Sequence, residues 1–304
     1  SLHLDFSKYL TGILELNATE RWVRVEPGVV LDELNAFLRP HDLMFAPDVA
    51  TSSRANVGGM IGNNSSGAHS LIYGKTIDRV AEVTAVLSDS SLVRFGPLDD
   101  VQLAAKMAQT DLEGAVYRGL RQQVAKHADE IRDRFPSVMR RVSGYNLDEL
   151  LLSNGEPFDL SKIVVGSEGT LAFSTSIHLK LQPIPTHKVL GVCHFPSFYE
   201  AMDSTQHLVT LNPDAVELVD RTMIELARSI PQFAEKLKRF IKGEPDSLLL
   251  VEFTGEELKP LEKKLSELKK MMESMGFRDA VVEALDPAFQ KEVWEVRKPG
   301  LNSM

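Results

Sequence analysis

Cysteine is nearly absent: the 304 residues hold one, Cys193. An internal disulfide is therefore excluded, and the composition suits a reducing compartment. Cys193 lies in the apolar run Val189–Phe195, which predicts a buried structural thiol and not a nucleophile. No apolar run reaches the roughly 18 residues of a membrane-spanning helix, so no such span is predicted. Positive charge is also short, with 34 Lys plus Arg against 43 acids and a net charge of −9. A nucleic-acid surface needs a basic face, and this balance argues against one. The basic cluster from Lys126 to Arg141 is interleaved with Asp129, Glu130 and Asp133 and reads as a solvated helix face. The eight histidines are scattered, and none pairs at helical ligand spacing with an acid to match, so no metal site is predicted within the chain. The chain starts at Ser1 and stops at Met304 in what reads as mid-structure, so it is expected to be a piece of a longer protein.

What is present supports proper cores: hydrophobic residues make up 43% and the mean hydropathy is −0.12. The most unusual stretch runs from Ala46 to Gly74. Gly58-Gly59, Gly62 and Gly67 permit close backbone approach. Short polar residues (Thr51, Ser52, Ser53, Asn56, Asn63, Asn64, Ser65, Ser66) sit between them. Such a run offers accessible N–H groups without bulk and predicts a loop wrapped around a phosphorylated cofactor. A flexible surface loop is the alternative. Long irregular stretches between strands of a compact domain are usually functional, which favours the cofactor loop.

Alternation predicts a strand over Arg21–Val25 and a hairpin over residues 79–95 that turns at Ser88-Asp89-Ser90. An amphipathic helix starts after Pro27-Gly28 and stops at Pro40. Residues 99–134 carry one helical stripe. Ile163–Phe173 reads as a strand entering a tight turn at Gly166-Ser167-Glu168-Gly169 and a strand leaving it. Pro183-Ile184-Pro185 marks a boundary. Beyond it, short strands alternate with amphipathic helices, including one over residues 256–275 with Leu258, Leu261, Leu265, Leu268 and Met272 spaced by three and four. That order predicts an α+β layer with ferredoxin-like packing.

The run PDVATSSRANVGGMIGNNSSGAHSLIYGKTIDRV, from Pro47 to Val80, resembles the second flavin-contacting segment of the FAD-linked oxidases of the vanillyl-alcohol oxidase (p-cresol methylhydroxylase) superfamily. Within it the resemblance is nearest to the glycolate oxidase, D-lactate dehydrogenase and D-2-hydroxyglutarate dehydrogenase branch. Gly166-Ser167-Glu168-Gly169-Thr170-Leu171 is similar to that branch's second cofactor motif, and Gly144-Tyr145-Asn146-Leu147 to an element near its flavin. Val293-Trp294-Glu295-Val296-Arg297-Lys298 resembles its W-x-x-R motif. Departures are Asn63-Asn64 for Thr-Asn, Ser66-Gly67 for Gly-Gly, Ala172 for Gly and Lys298 for Glu.

The resemblance implies an α+β flavin-binding domain over 1–186, whose first cofactor loop lies upstream of Ser1, and a ferredoxin-like α+β cap over 187–304, truncated at its C-terminus. It implies FAD, held non-covalently. Pro47, Asp48, Thr51, Ser52, Ser53, Asn56, Val57, Gly58, Gly59, Gly62, Asn63, Asn64, Gly67 and Tyr73 would contact the flavin and its ribityl-pyrophosphate. Gly166, Glu168, Gly169, Thr170 and Leu171 would hold the adenosine side. Arg297 would clamp the substrate carboxylate, a task suited to its planar fork. The implied reaction is oxidation of a D-2-hydroxy acid (D-lactate, glycolate or D-2-hydroxyglutarate type) to the 2-oxo acid, with the general base outside this chain. Tyr73–Asp78 and the chain's ending look most like large members with an appended iron–sulfur region. The implied electron acceptor is thus an iron–sulfur partner or a quinone. An iron–sulfur cluster and a divalent metal are left to the rest of the full-length protein. The location implied is cytoplasmic, with room for a peripheral position at the inner membrane face, and a homodimer is compatible with it. Rival readings are a fragment that cannot hold flavin alone and another reductase of the superfamily. A nucleotide triphosphatase is disfavoured, because six residues separate Gly67 from Gly74-Lys75-Thr76 where a phosphate loop needs about four.

Overall fold

A computed structural model describes residues 5–151 and 156–295. The chain divides into two compact units, Ser1–Ile184 and Pro185–Met304.

In the first unit, Ile13–Asn17 (β1) pairs with Trp22–Val25 (β2), where Val23 and Val25 alternate inward and are fully buried. Val80–Val86 (β3) and Leu92–Phe95 (β4) form the expected hairpin, closed by Leu87 N–H to Ser91 O at 2.9 Å. Phe173–Lys180 (β5) comes last in sequence yet lies between β2 and β3, giving the order β1-β2-β5-β3-β4 with every pairing antiparallel. The buried Ile177 and Leu179 are in register with Val25 and Val23 on one side, and with Val83 and Val80 on the other. This apolar stripe packs with Leu31, Leu34 and Leu38 of helix Leu31–Leu38 (α1) and with Met60 and Ile61 of helix Val57–Asn63 (α2).

Three local expectations change. The glycine-rich stretch is not one loop, since its middle forms α2 and residues Ser70–Tyr73 add a helical turn. The single helix over 99–134 is three: Asp100–Ala108, Leu112–Lys126 (α3) and Ala128–Arg134. Gln109 turns extended, and Asp111 opens the next helix by accepting Gly114 N–H at 2.9 Å, a side-chain cap that competes with helix continuation. The segment ahead of Gly166 is a helical turn, Ser161–Val164, and not a strand, because Asp159 accepts Ser161 N–H at 2.8 Å and starts it.

In the second unit, His187–Phe195 (β6), Ala215–Asp220 (β7), Ser247–Gly255 (β8) and Val281–Ala284 (β9) form an antiparallel sheet in the order β7-β8-β6-β9. Helix Phe198–Leu208 (α4) joins β6 to β7, and Leu258–Ser274 (α6) joins β8 to β9; this is the ferredoxin-like arrangement. Leu261, Leu265, Leu268 and Met272 of α6 pack on one face with Val189, Cys193 and Val251. Burial raises the Cys193 thiol pKa far above its usual value, leaving an inert apolar filler. The opposite face is also covered, by Ile224 and Ala227 of Arg221–Ser229 (α5), by Phe240 and by Val293 of Pro287–Glu295 (α7). The unit therefore has helices on both sides of its sheet.

Candidate functional site

Three glycines among seven residues give α2 little intrinsic stability. It forms because the tertiary structure supplies what propensity lacks. Asn56 caps it, accepting Gly59 N–H at 2.7 Å. Val57 N–H donates to Val29 O at 2.9 Å, and Gly58 N–H to Pro27 O at 2.7 Å. Gly58 lies so close to Pro27 that a methyl there would come within 2.6 Å of the ring. The first-turn amides of α2 are thus consumed inside the protein. They are not the open donors that the glycine content predicts.

The other end of α2 carries the relationship that builds the site. A helix leaves its last carbonyls without intrahelical partners. Here Ile61 O accepts Gly166 N–H at 2.8 Å, and Gly62 O accepts Glu168 N–H at 2.9 Å. The turn needed for this is left-handed at Gly166 (φ 86°), Glu168 (φ 50°) and Gly169 (φ 72°). Asn146 is buried beneath it, donating through Nδ2 to Val165 O at 2.7 Å and Lys162 O at 3.1 Å. Tyr145 Oη and Thr170 Oγ1 are 3.0 Å apart, and Thr170 Oγ1 donates to Ser167 O at 2.6 Å.

A cleft of about 500 Å³ opens between the two motifs. Gly58, Ile61 and Gly62 line it, as do Ser167 to Ala172 and Val86-Leu87-Ser88 at the end of β3, together with Phe6, Val164, Phe173 and Ser174. A methyl on Gly62 would stand 3.6 Å from Glu168 Cα, and one on Gly169 would meet nothing within 4 Å. Among the described residues, the Gly169 and Leu171 N–H groups have no hydrogen-bond partner. Asn64 is wholly buried with its Nδ2 unpartnered among the described residues, while its Oδ1 accepts Ile77 N–H at 3.0 Å. The unspent Gly169 and Leu171 donors beside a volume of this size fit a phosphate-bearing dinucleotide.

Of the residues picked from sequence, Gly58, Gly62, Glu168, Gly169, Thr170 and Leu171 line this cleft. Asn56, Val57, Gly59, Asn64 and Gly166 lie in the frame that supports it. Asp48, Gly67 and Tyr73 cluster elsewhere, around His69: Asp48 accepts both the backbone N–H and the ring of His69, Gly67 packs on Asp48, and the rings of Tyr73 and His69 are 6.1 Å apart. Thr51, Ser52 and Ser53 make a turn tied to α1 through Asp32 N–H to Ser52 O at 3.2 Å, and Pro47 is buried. None of these four, nor Asn63, lines the cleft. Arg297 lies outside the described residues.

Sequence reasoning missed Leu87, Ser88 and His69. The first two carried a signal, as the end of a strand at a predicted turn; His69 carried none, because its partner is 21 residues away. Among the described residues no group of His, Cys, Asp or Glu could hold a metal ion, and no helix is long and apolar enough to cross a membrane.

Residues 1–96 match the FAD binding domain family, and residues 184–303 match the C-terminal domain of FAD linked oxidases. The chain is 37% identical over 258 residues to D-2-hydroxyglutarate dehydrogenase of Pseudomonas putida, covering 84% of this chain and 25% of that protein. It is 27% identical over 288 residues to the mitochondrial D-lactate dehydrogenase [cytochrome] of Arabidopsis thaliana, covering 94% of this chain and 40% of that one. The chain thus spans about a quarter to two fifths of the length of these relatives. In fold it is similar to alkyldihydroxyacetonephosphate synthase, with a TM-score of 0.61 at 16% identity over 97% of this chain and 45% of that one.

Proposed function

The chain belongs to the FAD-linked oxidases, in the branch of the D-2-hydroxyglutarate and D-lactate dehydrogenases, and on that premise we propose that it forms part of a flavin-dependent dehydrogenase of D-2-hydroxy acids. Bound FAD, held non-covalently, supplies the acceptor for the hydride leaving the substrate's C2. The tasks of this chain are to hold the dinucleotide and to present the substrate. In this proposal Gly58, Gly62 and the 168–171 turn hold the phosphate and adenosine portion, with the Gly169 and Leu171 amides as donors. The observation that carries it is the docking of the 166–168 turn onto the Ile61 and Gly62 carbonyls, which makes one cleft from two motifs about a hundred residues apart. The Asp48–His69 group would frame the loop on the flavin side. Arg297 would pair with the substrate carboxylate, and the base that takes the hydroxyl proton lies outside the chain.

The substrate is a small D-2-hydroxy acid, of the D-2-hydroxyglutarate or D-lactate type. Electrons would pass to a quinone or an iron–sulfur partner, in the cytoplasm or at the inner face of a membrane. The test is an anaerobic absorbance titration of the full-length protein. Flavin bands that bleach with a D-2-hydroxy acid, and not with the L-enantiomer, are expected. A colourless full-length protein, or bands that no D-2-hydroxy acid bleaches, would overturn the reading.

A further inference from the structure

Among the described residues that line the cleft, Glu168 is the single ionisable one, and none is a lysine, arginine or histidine. The other polar residues along it, Ser88, Ser167, Thr170 and Ser174, are uncharged. The cleft wall therefore offers one carboxylate and no cation. Glu168 is exposed, and among the described residues its carboxylate has neither a hydrogen-bond donor nor an ion-pair partner.

A glutamate on an ordinary turn is merely solvated. This one sits at φ 50°, a left-handed backbone that disfavours any residue with a Cβ relative to glycine. The other left-handed positions of the same turn, Gly166 and Gly169, are glycines. Elsewhere among the described residues the side-chain-bearing positions of positive φ are, Arg21 apart, Asp, Asn or Ser. Short polar groups of that kind can bond the local backbone, which Glu168 does not do. Docking of the turn on α2 needs only the backbone here, since Glu168 N–H donates to Gly62 O at 2.9 Å. Glycine would serve that bond with less strain, so the carboxylate answers to something outside the described chain.

The chemistry of a lone carboxylate limits what that is, because in its ionised form it only accepts hydrogen bonds. Of the portions of a dinucleotide, the phosphates bring acceptors and negative charge. The adenosine ribose brings two adjacent hydroxyl donors, which match the two oxygens of one carboxylate. Acidic side chains take a ribose hydroxyl in other dinucleotide sites, where a phosphate on the ribose calls for arginine instead. We propose that Glu168 is a specificity-determining residue of the cleft, whose carboxylate accepts the ribose hydroxyls of the adenosine and turns away a ribose that carries a phosphate. This rests on the reading of the cleft as a flavin dinucleotide site.

The test uses the full-length protein freed of flavin, with Glu168→Gly and Glu168→Gln. It reads melting of the apoprotein and calorimetric binding of FAD, of ADP, of its 2′-deoxy and 3′-deoxy forms and of its 2′-phosphorylated form. Glu168→Gly is expected to melt no lower than wild type, because glycine suits the left-handed turn, and yet to bind FAD roughly ten-fold more weakly. In wild type, loss of a ribose hydroxyl should weaken ADP binding by about the same factor, and a 2′-phosphate should abolish it. In the glycine variant the deoxy and parent forms should bind alike, since the acceptor that told them apart is gone. Glu168→Gln keeps one acceptor oxygen without the charge, and is expected to admit the 2′-phosphate more readily than wild type does. Should the glycine variant melt lower, the glutamine variant carries the same comparison with the Cβ unaltered. A wild type that binds ADP and both deoxy forms alike, or a deoxy penalty unchanged in the variants, would overturn the inference. A full-length protein that takes up no FAD would remove the flavin reading. The ADP series alone then decides: a deoxy penalty that vanishes in the glycine variant supports the role of Glu168, and absence of ADP binding overturns it.

Discussion

Asp48 Oδ2 lies 2.5 Å from His69 Nδ1, and Asp48 Oδ1 accepts the backbone N–H of His69 at 3.2 Å. The pair closes a loop of 21 residues that contains the whole of α2. Gly67 is packed so tightly on Asp48 that a side chain there would collide with it. The carboxylate is therefore engaged by the protein's own chain.

Removing that staple is expected to loosen the loop. Asp48→Ala should cost about 1 kcal/mol, less than the roughly 1.5–3 kcal/mol of a bond to a charged group, because Asp48 is partly exposed to solvent. Flavin retention after gel filtration should fall more than the melting temperature does. Equal retention in wild type and variant would show that the loop holds its shape without the pair.

The two glycines of the second motif should respond differently. At Gly166 a methyl would stand 3.1 Å from Asn146 Nδ2, on a backbone already at φ 86°. At Gly169 it would meet open space at φ 72°. Gly169→Ala should cost only about 1–2 kcal/mol of left-handed strain and yet weaken FAD, since the methyl enters the cleft. Gly166→Ala should lose more stability than that. Chemical denaturation with parallel flavin titration separates the two, and a Gly169→Ala variant with unchanged FAD affinity would place the cofactor elsewhere.

His194 gives the second unit a pH dependence. Burial pulls its pKa below the ordinary histidine value, outweighing the carbonyls of Ala280 and Phe240, which lie 2.9 and 3.0 Å from its ring nitrogens and pull it up. The folded state therefore favours the neutral ring, whose Nε2 can accept Lys242 N–H at 3.2 Å. Its contribution is complete above the unfolded pKa of about 6.5 and is lost as pH falls through the lower folded value. The melting temperature should drop on acidification below that point, and His194→Gln should flatten this part of the profile. An identical slope in the variant would assign it to carboxylates.

Gly191 and Leu268 form a tight pair in the second core. A methyl at 191 would run into the Leu268 side chain, which is itself fully buried. Leu268→Ala should cost about 2–5 kcal/mol and Gly191→Ala about 1–3 kcal/mol. Together they should cost less than the sum, because each relieves the strain or void left by the other. Strict additivity in urea unfolding would show that the two do not touch in solution.

Much of this was legible in the residues. The β3–β4 hairpin, the α6 stripe and the fate of Cys193 follow from alternation, from three- and four-residue spacing and from an apolar flank. The glycine motifs and their resemblance pointed to residues of which Gly58, Gly62, Glu168, Gly169, Thr170 and Leu171 line one cleft. The boundary of α3 was not legible, because Asp111 acts as a cap only once the chain around it has turned.

Local chemistry written in the chain thus specified most of the strands, the α6 stripe and the family. Folding in three dimensions specified which carbonyls meet which amides: Ile61 and Gly62 with the 166–168 turn, Asp48 with His69, Glu252 with Trp294. A helix as rich in glycine as α2 is marginal by itself and exists because distant groups saturate both its ends. Hydrogen bonds between groups tens to a hundred residues apart leave no periodic trace in the sequence, so the cleft they build appears only when the chain has closed.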